Sequence, residues 1–246
     1  MSKRDILVIV EGEVTDISLM EGLFVTYEIE QRHQLVFYGT NIYALYNSAF
    51  KGSEIDSIDI FLHLREHEKD PVKKSLFDQR QRYSDILLMF DFDPQDRSFS
   101  KNAIREMSEY FTDSTDMGKL YINYPMIEAF YHVKSVPDPD YDNYIASLIE
   151  LKARQYKSRV NQESVIADRK TFVTQKSLCN TVIRQNLNKA CKITEMLCPE
   201  PGNGVSVPKQ FAILNKQLDK LREDNAVFVL CTCVFYIVDY NSKLIE

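Results

Sequence analysis

The chain has 246 residues, 44% of them hydrophobic and 27% charged, with 7 glycines, 8 prolines and a net charge of -6. That profile excludes a disordered, collagen-like or repeat protein and allows one large core or two small ones. The longest apolar run, Ala226 to Val238, has 13 residues, short of the roughly 20 a membrane helix needs.

Asp5-Ile-Leu-Val-Ile-Val10 is apolar and rich in β-branched residues, which predicts a strand buried on both faces of a parallel sheet. After Glu11-Gly12-Glu13-Val14, Thr15 is the expected N-cap of a helix whose stripe is Ile17, Leu19, Met20, Leu23, Phe24 and Tyr27. A strand is expected at Gln34 to Tyr38, and helical stretches at about 41–50, 55–67 and 71–81. Ser84 to Phe90 reads as a second buried strand that ends in Asp91-Phe92-Asp93-Pro94. Ser100 caps a helix to about Phe111, Lys119 to Asn123 reads as a strand, and a short helix over Met126 to Val133 follows Pro125. Strands alternating with helices imply an α/β fold with a doubly wound, mainly parallel sheet over 1–135. Beyond the linker Val136-Pro-Asp-Pro-Asp140, a mostly helical, basic region is expected over 136–246, with helices at about 141–155, 174–190 and 206–222. The run 226–238 mixes strand-like composition with helix-like length and is read as a buried helix.

Acidic residues placed directly after buried parallel strands lie at the carboxyl edge of the sheet, where open α/β folds bind ligands. Glu11 follows one such strand, and Asp91 and Asp93 follow another. In extended chain, residues two apart point to the same side, so Asp91 and Asp93 are expected to converge while Phe92 turns inward. Three carboxylates in one crevice repel one another, and a hard divalent cation, Mg2+ or Mn2+, is the natural way to hold them.

Val10-Glu11-Gly12 after one apolar strand and Leu87-Leu-Met-Phe-Asp91-Phe-Asp93 after another resemble the TOPRIM domain of topoisomerases, primases and OLD-family nucleases. Glu11-Gly12-x-x-Thr15-Asp16 is similar to the E-G-x-x-T-E opening of RloB-like TOPRIM proteins of phage defence. Pro125-Met-Ile-Glu128-Ala-Phe130 is similar to their N-P-x-F-E-x-W segment, with Tyr124, Ile127 and Phe130 in place of Asn, Phe and Trp. The resemblance covers residues 5 to 135 and implies a Mg2+-dependent nuclease. It makes Glu11 a general acid/base or metal ligand, Asp91 and Asp93 metal ligands, and Glu128 a further acid near the metal. Asp16 either caps the first helix or completes the metal site. The resemblance also implies an abortive-infection effector controlled by a separate ABC-type or SMC-like ATPase. The alternative is a TOPRIM-like scaffold that binds a partner or nucleic acid and no longer cuts.

Residues 151–192 hold ten basic side chains against Glu163 and Asp168. Charge this one-sided suits a phosphate backbone, and Lys152, Arg154, Lys157, Arg159, Arg169 and Lys170 are the expected nucleic-acid grip. His63-Leu-Arg-Glu-His67 reads as an inverted zinc-protease motif, set aside as a solvated helix face for want of a third ligand. His132, four residues after Glu128, is expected on the same helical face, where it could orient substrate. The cysteines, Cys179, Cys191, Cys198, Cys231 and Cys233, contain no C-x-x-C pair and read as buried or idle thiols. With no P-loop and no secretory signal, a cytoplasmic protein without membrane contact is expected. Self-association is left open.

Overall fold

The computed structural model describes residues 4–29, 32–51, 59–197 and 206–245. β1 (Asp5–Val10), buried at every position, is an interior strand of the sheet. It pairs in parallel with β2 (His33–Phe37) on one side and β3 (Tyr83–Asp91) on the other. β3 pairs in parallel with β5 (Gly118–Asn123), and the two-residue β4 (Thr112–Asp113) closes the edge antiparallel to it. The order is therefore β2-β1-β3-β5-β4, mostly parallel as expected.

α1 (Thr15–Thr26) carries the chain from β1 to β2. α2 (Ile42–Ala49), α3 (Ile60–His67) and α4 (Pro71–Ser75) lie between β2 and β3, and α5 (Lys101–Tyr110) follows β3. Because the chain leaves β1 for β2 and then returns to β3 on the far side of β1, the gap between the carboxyl ends of β1 and β3 is the switch point of the sheet. Ser100 caps α5 as expected, its Oγ accepting from the Ala103 N–H. Thr15 instead is the first helical residue of α1 and makes no side-chain cap. The expected helix at 71–81 breaks into α4 and a 3-10 turn at Arg80–Arg82; residues 55–58 of the helix expected at 55–67 lie outside the described residues.

The later part is helical, with two corrections. The expected helix 141–155 is a 3-10 turn (Tyr141–Asn143), a strand β6 (Ile145–Ser147) and a short helix α6 (Leu148–Lys152). α7 (Tyr156–Glu163), α8 (Arg169–Val173), α9 (Lys176–Ile193) and α10 (Gln210–Asp224) follow. The run 226–238 is not one helix: Ala226–Phe228 forms β7 against β6, the chain then turns, and α11 (Phe235–Tyr240) begins late. Its strand-like half wins locally because β6 offers a partner edge.

The run 226–238 passes beside the sheet rather than standing apart. Leu230 bridges Tyr124, the Thr232 hydroxyl donates to the Ile122 carbonyl, and Asn123 Oδ1 accepts from the Cys233 N–H. Tyr121 and Lys119 of β5 both reach Asp239. On the α1 side, α8 packs so closely that a Cβ on Gly22 would meet Val173 Cγ2 at 2.5 Å. α10 packs on α5 and β5. One continuous set of buried apolar residues therefore runs from Ile6 to Ile245. Among the described residues, no helix is long and apolar enough to cross a membrane.

Candidate active site

At the switch point, β1 hands over to Glu11, whose N–H donates to the Met89 carbonyl. Glu11 Oε2 in turn accepts from the Asp91 N–H at 3.1 Å, so the first acid is fastened to the backbone that carries the second. Asp91 ends β3, and its Oδ1 accepts from the Ile127 N–H at 3.0 Å. That N–H opens a 3-10 turn, Ile127–Tyr131, whose own N-cap, Met126, supplies no side-chain bond. Asp91 thus does from another element what a capping side chain does locally.

β3 stops at Asp91, and Asp93 stands at φ 39 in the left-handed region. The convergence of Asp91 and Asp93 therefore does not come from extended chain, as expected from the sequence, but from a turn. Phe92 is fully buried, as expected. The turn is clamped by α2: the Tyr43 hydroxyl donates to the Phe92 carbonyl, and Asn41, the N-cap of α2, donates from Nδ2 to Asp96 Oδ2 at 3.0 Å.

Asp16 in the first turn of α1 is only 5% exposed and Glu128 only 3%. The Gly12 N–H bonds to the Asp16 carboxylate, and Glu128 Oε1 lies 2.6 Å from Lys157 Nζ. Burial, then the charges of Asp93, Asp16 and Asp96, push Glu11 up to about 8 against the opposing Asp91 hydrogen bond. Burial and Glu128 push Asp16 up to about 7. Asp91 is held well above the carboxylate range by burial and by Glu11, Asp16, Asp93 and Glu128. Asp93 is raised by burial, Asp96 and Glu128, against the hydrogen bond from Gln95. Asp91 therefore feels all four of the other sequence-predicted acids.

Asp96 was missed by the sequence reading; its signal was a third acid just past the Asp93-Pro94 turn. Among the described residues no three His, Cys, Asp or Glu side chains close around a common point as a ready-made cation cage. The acids are gathered, each tied to its own amide or lysine.

A cavity of about 750 Å3 opens beside Asp93 and Asp96, walled on the far side by Lys152, Arg154 and Lys157. Three of the six expected basic residues thus face the acids. Arg159 instead pairs with Glu150 at 3.1 Å and donates to the Ile145 carbonyl. Arg169 bonds Asn161 and lies over the Tyr131 ring, and Lys170 is exposed in α8, outside the cavity lining.

His132 does not share a face with Glu128, because the turn there is 3-10 and not α-helical. It is buried, with Nδ1 3.2 Å from the Tyr156 hydroxyl and Nε2 3.2 Å from Glu163 Oε2. His63 is buried as well, between the Tyr38 and Ser48 hydroxyls, rather than solvated. Cys179, Cys191, Cys231 and Cys233 are buried; Cys198 lies outside the described residues.

No family model, no curated protein and no solved structure matches the chain. The functional reading therefore stands on the site itself and on the motif resemblance.

Proposed function

We propose that this chain is a TOPRIM-like, divalent-cation-dependent nuclease that hydrolyses phosphodiester bonds in DNA or RNA. The observation that carries this reading is the crevice at the β1/β3 switch point, where Glu11, Asp16, Asp91, Asp93 and Glu128 meet beside a cleft with a cationic wall. Burial and mutual repulsion raise the proton affinity of Glu11, Asp16, Asp91 and Asp93; a divalent cation would take the place of those protons, and oxygen donors of this kind suit Mg2+ or Mn2+. Glu11, Asp91 and Asp93 would hold the cation, with Asp16 behind them. When bound, such a cation neutralises charge on the scissile phosphate and lowers the pKa of an attacking water.

The chain's own residues divide the remaining tasks. Glu11, fastened to the Asp91 N–H, would meet the cation as a carboxylate, because the cation's charge outweighs the burial that raises its pKa in the metal-free fold. Asn41 and Tyr43 hold the loop that carries Asp93 and Asp96. Lys152, Arg154 and Lys157 draw the phosphate backbone toward the acids.

The test is incubation of the purified chain with single-stranded DNA, plasmid, total RNA and tRNA in Mg2+, Mn2+ or EDTA. Cleavage should require the metal and fall by about 100-fold or more in Glu11→Ala and Asp91→Ala. Undiminished metal-dependent cleavage by either variant overturns the proposal.

A second reading, a module that binds without cutting, is favoured by the amides on Glu11 and Asp91 and by Lys157 on Glu128, which satisfy part of the acids internally. Such a module should show no Mg2+-dependent rise in melting temperature. Control by an ATPase partner and a role in defence rest on the resemblance alone; co-purification of an ATPase with the tagged chain is their test.

A further inference from the structure

We propose that the cleft takes a single unpaired nucleic-acid strand, gripped by its phosphates, and excludes an intact duplex. The proposal rests on the reading of the acidic crevice as a phosphodiester site and specifies what form of substrate reaches it.

The cleft runs between two walls, the loop 93–98 and the turn between α6 and α7, with Met126 between them. Its volume of about 750 Å3 falls in the range of small-ligand pockets, roughly 300–1,000 Å3. That admits a nucleotide or two of one strand. A duplex, whose major groove alone is about 12 Å wide, presents its phosphates on a stiff convex cylinder and stops at the rim. Two of the acids, Asp16 and Glu128, lie below the surface. An unpaired strand bends at each nucleotide and lowers a phosphate to them.

The charge on the walls suits the phosphates of such a strand. Arg97, Lys152 and Arg154 are exposed, and among the described residues no ion pair engages them. Other cations of the segment 151–192 are spent inside the protein: Arg159 on Glu150, and the buried Lys189 on the carbonyls of Tyr141 and Tyr144. Arg97, Lys152 and Arg154 thus put three uncommitted cations on the cleft, while Lys170 lies outside it. The aromatic side chain lining it, Tyr156, is 1% exposed and its hydroxyl is bonded to His132. It offers no face for a base to stack on, so the grip is on the backbone and carries little sequence preference.

The test uses the full chain and fluorescein-labelled oligonucleotides of one sequence as single-stranded DNA, single-stranded RNA and blunt duplex DNA. Binding is read by anisotropy in Ca2+ across a salt series, and cleavage in Mn2+. Single strands should bind at least about tenfold more tightly than the duplex. Lys152→Ala and Arg154→Gly should each weaken single-strand binding and flatten the log-log salt slope by about 0.7. Arg154 stands at φ 57, where glycine is favoured, so Arg154→Gly should keep or raise the melting temperature and its lost affinity is not unfolding. Duplex binding as tight as single-strand binding, or unchanged binding by Arg154→Gly, overturns the proposal. Cleavage of both forms without preference sinks this inference and leaves the hydrolase reading standing. Single-strand preference without cleavage of any substrate does the reverse.

Discussion

At Gly12 a single added methyl would stand 2.8 Å from both oxygens of the Asp16 carboxylate. Gly12→Ala should therefore cost about 1–3 kcal/mol and displace Asp16, with loss of activity; denaturant unfolding beside a cleavage assay reads both. Glu11 predicts a pH effect. Its folded pKa of about 8 lies above its ordinary value of 4.5, so the stability it contributes is fully present below about 4.5 and lost as pH rises through about 8. Without added metal the wild type should lose stability across that window, and Glu11→Gln should flatten the loss. A thermal-shift series from pH 4.5 to 8.5 reads it, and identical profiles for the two proteins would refute it. Glu11 and Asp91 were legible in sequence because each directly follows a β-branched or apolar run. Asn41 and Tyr43 were not, since their partners lie 55 and 49 positions away and only the fold joins them.

Among the elements, the buried strands were the most legible, because continuous apolar runs of this length fit few other structures. Short polar pieces were the least. α7 and α8 carry few buried residues, namely Tyr156, Val160, Phe172 and Val173, too few to show a helical period. β6 is three residues long and exists because β7 pairs with it, which no local pattern announces. α9 is fastened to the turn before β6 by Lys189, whose pKa burial lowers to about 7. A lysine depressed from its ordinary 10.5 in the fold contributes stability that is present above about 10.5 and lost as pH falls through about 7. The stability difference between wild type and Lys189→Met should therefore shift in favour of wild type between pH 7 and 10, as measured by urea unfolding. A pH-independent difference would mean that Lys189 does not titrate in the fold.

For the molecule as a whole, the α/β class and the mainly parallel sheet were readable from the alternation of periods. The docking of residues 229–239 along β5 was not, because it depends on contacts more than a hundred positions apart. Removing residues 226–245 would uncover Tyr121, Ile122 and Asn123 beside the acids. Such a truncation should bind a hydrophobic dye and be digested rapidly by protease, whereas a native-like, protease-resistant product would show that this segment is dispensable.

That arrangement also orders events during synthesis. A ribosome finishes all five acids by Glu128 and must add about a hundred residues before Leu230, Thr232 and Cys233 can meet Tyr124, Ile122 and Asn123. The strand beside Asp91 waits for them throughout. A nascent or prematurely terminated chain thus carries every acid of the site yet lacks the backing of the strand next to it. The last-made segment is thus the one that completes the wall beside the acids, and a chain released early lacks that wall.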